Sequence, residues 1–212
     1  MVQNLNRRSI SLRATPARGG RRERKALAAR QGILRAAARV FRRRGFAATG
    51  MREIAREADL SAGNLYYYFA SKQELLYFCQ DHSLDRMLAA VRAPGAVRLG
   101  PERRLECVVR AHLACMLDEL DGAAAHTEVE ALPPPLRAKI VAKRDRYERA
   151  VRGIVEQGVR SRAFMPCDPK LVTRALLGAL NWTARWYRPG GEQRPGAVAD
   201  AFAAYLVRGL TR

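Results

Sequence analysis

At 212 residues the chain is long enough for one generous domain or two small ones, and it carries 39 Lys and Arg against 20 Asp and Glu, a formal charge of +19. No apolar run approaches the roughly 20 residues of a membrane span and no signal-peptide core is present, so no membrane partner is expected. The four cysteines (Cys79, Cys107, Cys115, Cys167) are scattered without metal or redox spacing, as expected of a reduced, cytoplasmic protein without a metal site. Residues 1–50 hold 14 basic residues and one acid, Glu23, whereas residues 101–212 hold 19 basic and 13 acidic. A positive field gathered at one end suits a polyanion partner.

Residues 1–24 read as a disordered basic arm (Arg7, Arg8, Arg13, Arg18, Arg21, Arg22) without the apolar face of a targeting helix. Such an arm either tracks a minor groove or adds sequence-blind, salt-dependent affinity. Leu27, Ile33, Leu34, Ala37, Val40 and Phe41 recur at helical spacing from about Glu23 onward, and Gly45 supplies a left-handed stop. The second helix spans Met51–Ala58, Asp59-Leu60 forms the turn, and a third helix runs from a Ser61 cap to about Phe69. Ser71 caps a fourth helix that reaches Ala93. Pro94-Gly95 and Gly100-Pro101 bracket a loop. Helices then follow at Glu102–Leu120, Ala123–Leu132, from Pro133-Pro134-Pro135 to Ser161, Asp168–Tyr187 and Pro195–Leu210. Sustained alternation is missing throughout, so the expected fold is all-α.

Two helices joined by a tight turn at residues 51–69 would place the second in a DNA major groove. The start of that helix offers Ser61, Ala62, Gly63 and Asn64 to base edges, where Asn64 suits adenine and the small residues permit close approach. Tyr66, Tyr67 and Lys72, with Thr49 and Arg52 from the preceding helix, would hold phosphates. A helix this short cannot turn every tyrosine to DNA. Tyr68 is therefore read with Leu65 and Phe69 as core, while Tyr66 stays open between the two roles.

The residues Phe41, Gly45, Phe46, Thr49, Ile54, Ala55, Ala58, Leu60, Ser61, Gly63, Leu65, Tyr66, Tyr68, Phe69, Ser71, Lys72, Leu75 and Leu76 recur at the spacings of one small domain. By them the region Ile33 to Phe78 closely resembles the TetR family of bacterial transcriptional regulators. The resemblance implies a helix-turn-helix domain (25–72) and a ligand-binding and dimerisation domain (73–212), joined by a connecting helix at 73–93. It also implies a homodimer on palindromic double-stranded operator DNA, responsive to a small-molecule effector.

The segment 176–191, the run Leu136 to Glu148 with Arg144 and Tyr147, and the Gly158–Phe164 spacing resemble the TetR-type subgroup that responds to acyl-coenzyme A thioesters and controls lipid catabolism. Arg162 departs from it, since a glycine is expected there. Leu113, Met116, Leu117, Tyr147, Val151, Trp182 and Trp186 are the pocket candidates. Arg144, Arg174, Arg185 and Arg188 would meet a coenzyme A phosphate. His112 and Cys115 read as one core face and, with His126, as no metal set. Ala175, Gly178 and Ala179 on one helix, and Val198, Phe202, Tyr205, Leu206 and Leu210 on the next, are expected to pair across a two-fold axis. No nucleophile elbow, phosphate loop or dinucleotide fingerprint is found, so neither an enzyme nor a cofactor is expected. Two rivals remain: a TetR-type repressor of efflux genes sensing a lipophilic drug, and a sequence-blind architectural DNA binder.

Overall fold

The computed structural model describes residues 20–117 and 128–211. Those residues form nine helices and one 3-10 turn, with no strand among them. The basic arm up to residue 19, and His126, lie outside the described residues. Helix α1 (Arg21–Ala48) starts earlier than periodicity suggests and is broken at Gly45, whose φ of +77° and ψ of 159° favour glycine. Its apolar stripe is buried at Ile33, Ala37, Val40 and Phe41, whereas Leu27 remains about half exposed.

Helix α2 (Met51–Glu57) packs on α1, and α3 (Ala62–Tyr68) packs on α2. Asp59 adopts φ +54° in the intervening turn, a conformation that Asp tolerates better than bulkier residues. Leu65 and Ile54 are fully buried and fix the angle between the two short helices. Arg39 and Arg43 both grip Glu57, and Arg44 meets Glu53 at 3.0 Å, so α2 is also clamped electrostatically onto α1. Hydrogen bonds from Arg43 and then Arg39 hold the Glu57 carboxyl below its ordinary pKa.

Helix α4 (Lys72–Arg92) begins at a side-chain cap: Ser71 Oγ accepts from the Glu74 amide at 3.1 Å, and Glu74 Oε2 accepts from the Ala70 amide at 2.6 Å. The bracketed loop that follows contains one helical turn, α5 (Pro94–Val97), because its prolines stand at helix-starting positions. Helix α6 (Pro101–Leu117) is the spine of the larger half, burying Leu105, Val108, Val109, Leu113, Cys115, Met116 and Leu117. In place of the C-terminal part of the helix expected at 123–132, Val129–Ala131 forms a 3-10 turn.

Helices α7 (Pro134–Arg160), α8 (Pro169–Trp186) and α9 (Pro195–Arg208) complete the bundle. Asp168 Oδ1 accepts from the Lys170 and Leu171 amides, the N-terminal cap expected for α8. Between α7 and α8 the buried Phe164 ring lies directly on Gly158, where an added Cβ would stand 2.0 Å from a ring carbon. Arg162 in the same turn has φ +61°, which explains physically why a glycine suits that position. Both α4 and α9 pack on α6, and α4 also lies along α7. One apolar core therefore runs from the reading head into the larger half.

Candidate functional site

The first candidate surface is the outer face of α3. Its length is set by Ser61, whose Oγ accepts from the Asn64 amide at 3.1 Å, and by Leu65, which anchors the inner face. With that anchor in place, Ser61, Gly63, Asn64, Tyr66 and Tyr67 turn outward, and Ala62 is half-buried. Tyr67 is 83% exposed and Tyr66 is 53% exposed, aromatic area that folding of the chain leaves in water. Tyr68 packs on the core, as the sequence suggests. Arg52 is exposed at the start of α2.

Two expected phosphate contacts have other partners. Thr49 is buried and donates from its hydroxyl to the Gly45 carbonyl at 2.7 Å, closing the broken end of α1. The Lys72 ammonium donates to the carbonyls of Phe46, Ala47 and Thr49 at 2.7, 3.2 and 2.8 Å and lies 4.4 Å from the centre of the Phe46 ring. A cation at the carbonyl end of a helix also meets the negative end of its dipole. Lys72 thus ties the first turn of α4 to the end of α1.

The second candidate site is a cavity of about 270 Å³ walled by α4, α6, α7 and α8. Leu84, Met87, Met116 and Leu177 form its apolar wall; His112, Arg144, Asp145, Tyr147, Glu148 and Asn181 supply the polar groups. His112 Nδ1 lies 3.1 Å from the Tyr147 hydroxyl and Nε2 lies 3.3 Å from Asn181 Oδ1. With a carbonyl oxygen facing Nε2, that nitrogen carries the proton and Nδ1 accepts from the tyrosine O–H. Burial lowers the His112 pKa to about 4, the Asn181 bond opposing it, so the ring is neutral at pH 7. Burial likewise raises the Tyr147 pKa and lowers that of Arg144.

Of the ten residues expected to bind ligand, Met116, Arg144 and Tyr147 line this cavity. Leu113 and Val151 are buried in the core, outside its lining. Leu117 and Arg185 line a neighbouring cavity of about 150 Å³, with Arg42 and Arg188, and Met116 borders both. Arg174 is exposed and Trp182 is 64% exposed on the outside of α8. Trp186 stacks on Phe202 at 6.2 Å and lines a separate shallow depression. His112 and Asn181 escaped sequence reasoning: His112 is core, but both its ring nitrogens serve polar partners at the cavity. The Leu84/Met87 and Leu177/Asn181 pairs, at i,i+3 and i,i+4, were the only sequence signal for those walls. Among the described residues no group of three His, Cys, Asp or Glu could hold a metal ion, and no helix is long and apolar enough to cross a membrane.

An outward-facing recognition helix, held by a capped turn and joined through α4 to a cavity-bearing helical half, defines a helix-turn-helix regulator rather than an enzyme. The chain belongs to the tetR family of bacterial regulatory proteins, whose family model matches residues 33–77, while the model described as Tetracyclin repressor-like, C-terminal domain matches residues 98–210. It is 29% identical over 183 residues to the HTH-type transcriptional repressor KstR2 of Mycobacterium tuberculosis, covering 85% of this chain and 92% of that protein. Among solved structures it is similar to the TetR family transcriptional regulator PfmR from Thermus thermophilus, at a TM-score of 0.75 and 34% identity, covering 85% and 99% of the two chains. AibR in complex with isovaleryl coenzyme A and operator DNA shares the fold at a TM-score of 0.70 and 23% identity, covering 84% and 98%.

Proposed function

We propose that this regulator is a homodimeric repressor that an acyl-coenzyme A thioester releases from a palindromic operator, in control of lipid or related acyl-coenzyme A catabolism in the cytoplasm. The observation that carries the reading is the shared helix: α4 leaves the reading head at Lys72 and then contributes Leu84 and Met87 to the cavity wall. A ligand that enters between α4 and α7 acts on the same rigid body that carries α3. It can release DNA only by binding the released shape more tightly than the bound one. In this reading Ser61, Ala62, Gly63 and Asn64 meet base edges, and Arg52, Tyr66 and Tyr67 meet the backbone. Similarity to the KstR2 repressor supports repression, and AibR, which shares the fold, is solved in complex with both isovaleryl coenzyme A and operator DNA.

The dimer reading is supported by an outward face on each of the last two helices. Leu171, Ala175, Gly178 and Trp182 recur along exposed α8, and Ala201, Ala204 and Tyr205 along exposed α9. The face of α9 differs from the sequence expectation: Val198 is buried and Phe202, Leu206 and Leu210 pack on the chain's own core, so only Tyr205 of that stripe remains outward. Small residues let a second copy approach closely while Trp182 and Tyr205 supply the buried area.

The test is fluorescence anisotropy on DNA from upstream of the regulator's own gene, at physiological salt, with and without acyl-coenzyme A esters. Competitor-resistant binding lost with an ester is the expected result. Binding indifferent to every ester would shift the ligand to another lipophilic class; binding no better than to random DNA would overturn operator recognition.

A further inference from the structure

The cavity contains more polar chemistry than a hydrocarbon chain can use. Glu148 Oε1 is buried and has no hydrogen-bond partner, while the other carboxylate oxygen lies 3.8 Å from Arg152. Glu148 lines the cavity beside Tyr147 and Asn181. The Tyr147–His112–Asn181 chain uses one donor and one acceptor of a neutral imidazole. Whichever way the Asn181 amide is turned, one end of that chain keeps an unspent donor and the other an unspent acceptor. With Oδ1 on the ring, Asn181 keeps its N–H donors and Tyr147 keeps oxygen lone pairs.

From this we infer that the cavity selects an acyl group bearing a hydroxyl, held between the Glu148 carboxylate and the Tyr147–His112–Asn181 chain. The inference rests on the acyl-thioester reading above. A carboxylate oxygen can only accept, so its partner must bring a proton. A hydroxyl donates to Glu148 Oε1 and accepts from Asn181 at the same time. A ketone or a saturated chain leaves the buried Glu148 oxygen unpaired, whereas the exposed Asn181 amide can turn to water instead. Sites built to bond a hydroxyl reject analogues that lack it, because the buried polar groups then lose their partners. At about 270 Å³ the cavity falls just short of the 300–1,000 Å³ of sites for drug-sized ligands, so it houses the acyl end and leaves the nucleotide outside. Leu84, Met87, Met116 and Leu177 then pack the carbon skeleton of that acyl group.

The test is isothermal titration of the purified protein with hexanoyl-, 3-oxohexanoyl-, 3-hydroxyhexanoyl- and 6-hydroxyhexanoyl-coenzyme A. One of the hydroxylated esters should bind about tenfold or more tighter than both hexanoyl and 3-oxohexanoyl esters. Glu148→Met and Tyr147→Phe, each checked for an intact melting transition, should reduce that ratio to less than about threefold. The ratio separates hydroxyl recognition from general loosening, which weakens all the esters alike. Equal or tighter binding of the hexanoyl or 3-oxohexanoyl ester overturns hydroxyl selection while leaving the acyl-thioester reading intact. A lack of binding by all four overturns that reading and the inference with it.

Discussion

The reading head and the effector half solve opposite problems with the same secondary structure. In α3 the working side chains point away from the core: Leu65 is fully buried, whereas Tyr67, two residues on, is 83% exposed. In the larger half the cavity is lined by side chains from four helices, and the outward aromatics, Trp182 and Tyr205, lie outside that lining. A surface site needs one well-capped helix and tolerates changes at its own positions. An interior site is inseparable from the packing around it, so alteration of the cavity tends to alter stability too.

The largest expected effect is in the scaffold of the head. Leu65→Ala should destabilise the protein by about 2–5 kcal/mol and abolish operator binding, since it empties the joint between α2 and α3. Thermal melting with an anisotropy titration checks both outcomes; retention of both would show that α3 is held by something other than Leu65.

Next comes the proton linkage of the cavity. Burial depresses the His112 pKa from 6.5 to about 4, so the unfolded chain binds a proton more readily than the native one between those values. Stability from this group is complete above about pH 6.5 and is lost as pH falls towards 4, a swing on the order of 3 kcal/mol. Melting temperature against pH should fall through that window, and His112→Gln should flatten the decline.

A smaller effect is expected at the join of the two regions. Lys143 on α7, adjacent to the cavity residue Arg144, bonds the Asp81 carboxylate and backbone carbonyl and stands 2.8 Å from Asp85 on α4. Lys143→Met should cost about 1–2 kcal/mol, discounted because Asp85 is largely exposed. Its sharper consequence is functional: operator binding persists, but the effector concentration needed for release changes. An unchanged release curve would separate that clamp from the coupling.

The smallest effect on stability is expected on the reading face. Tyr67→Ala should change stability by less than about 0.5 kcal/mol yet weaken operator binding. Arg52→Ala should lower the salt slope of operator affinity by about 1 without altering sequence preference. A melting temperature that drops with Tyr67→Ala would place that ring in the fold instead.

The reading head was legible because its determinants are local. Ser61 caps three residues ahead, Gly45 takes a conformation that favours glycine, and Tyr68 falls on the same side as the apolar residues. Lys72 was not legible as a staple, because its three carbonyls lie 23 to 26 residues back along the chain. The cavity was read in part. Met116, Arg144 and Tyr147 line it, whereas Trp182, also expected there, lies on the outside of α8, since an aromatic at helical spacing fits a pocket and an outer face equally well.

What the amino-acid order determined by itself was the all-helical class, the helix-turn-helix and its caps, and the family, all of which depend on contacts a few residues apart. Tertiary structure alone decided which faces of α6, α7 and α8 converge. His112 reaches Tyr147 across 35 positions and Asn181 across 69, distances over which helical periodicity carries no information about orientation. Packing of four helices against one core sets those angles, and with them the polar chain at the cavity.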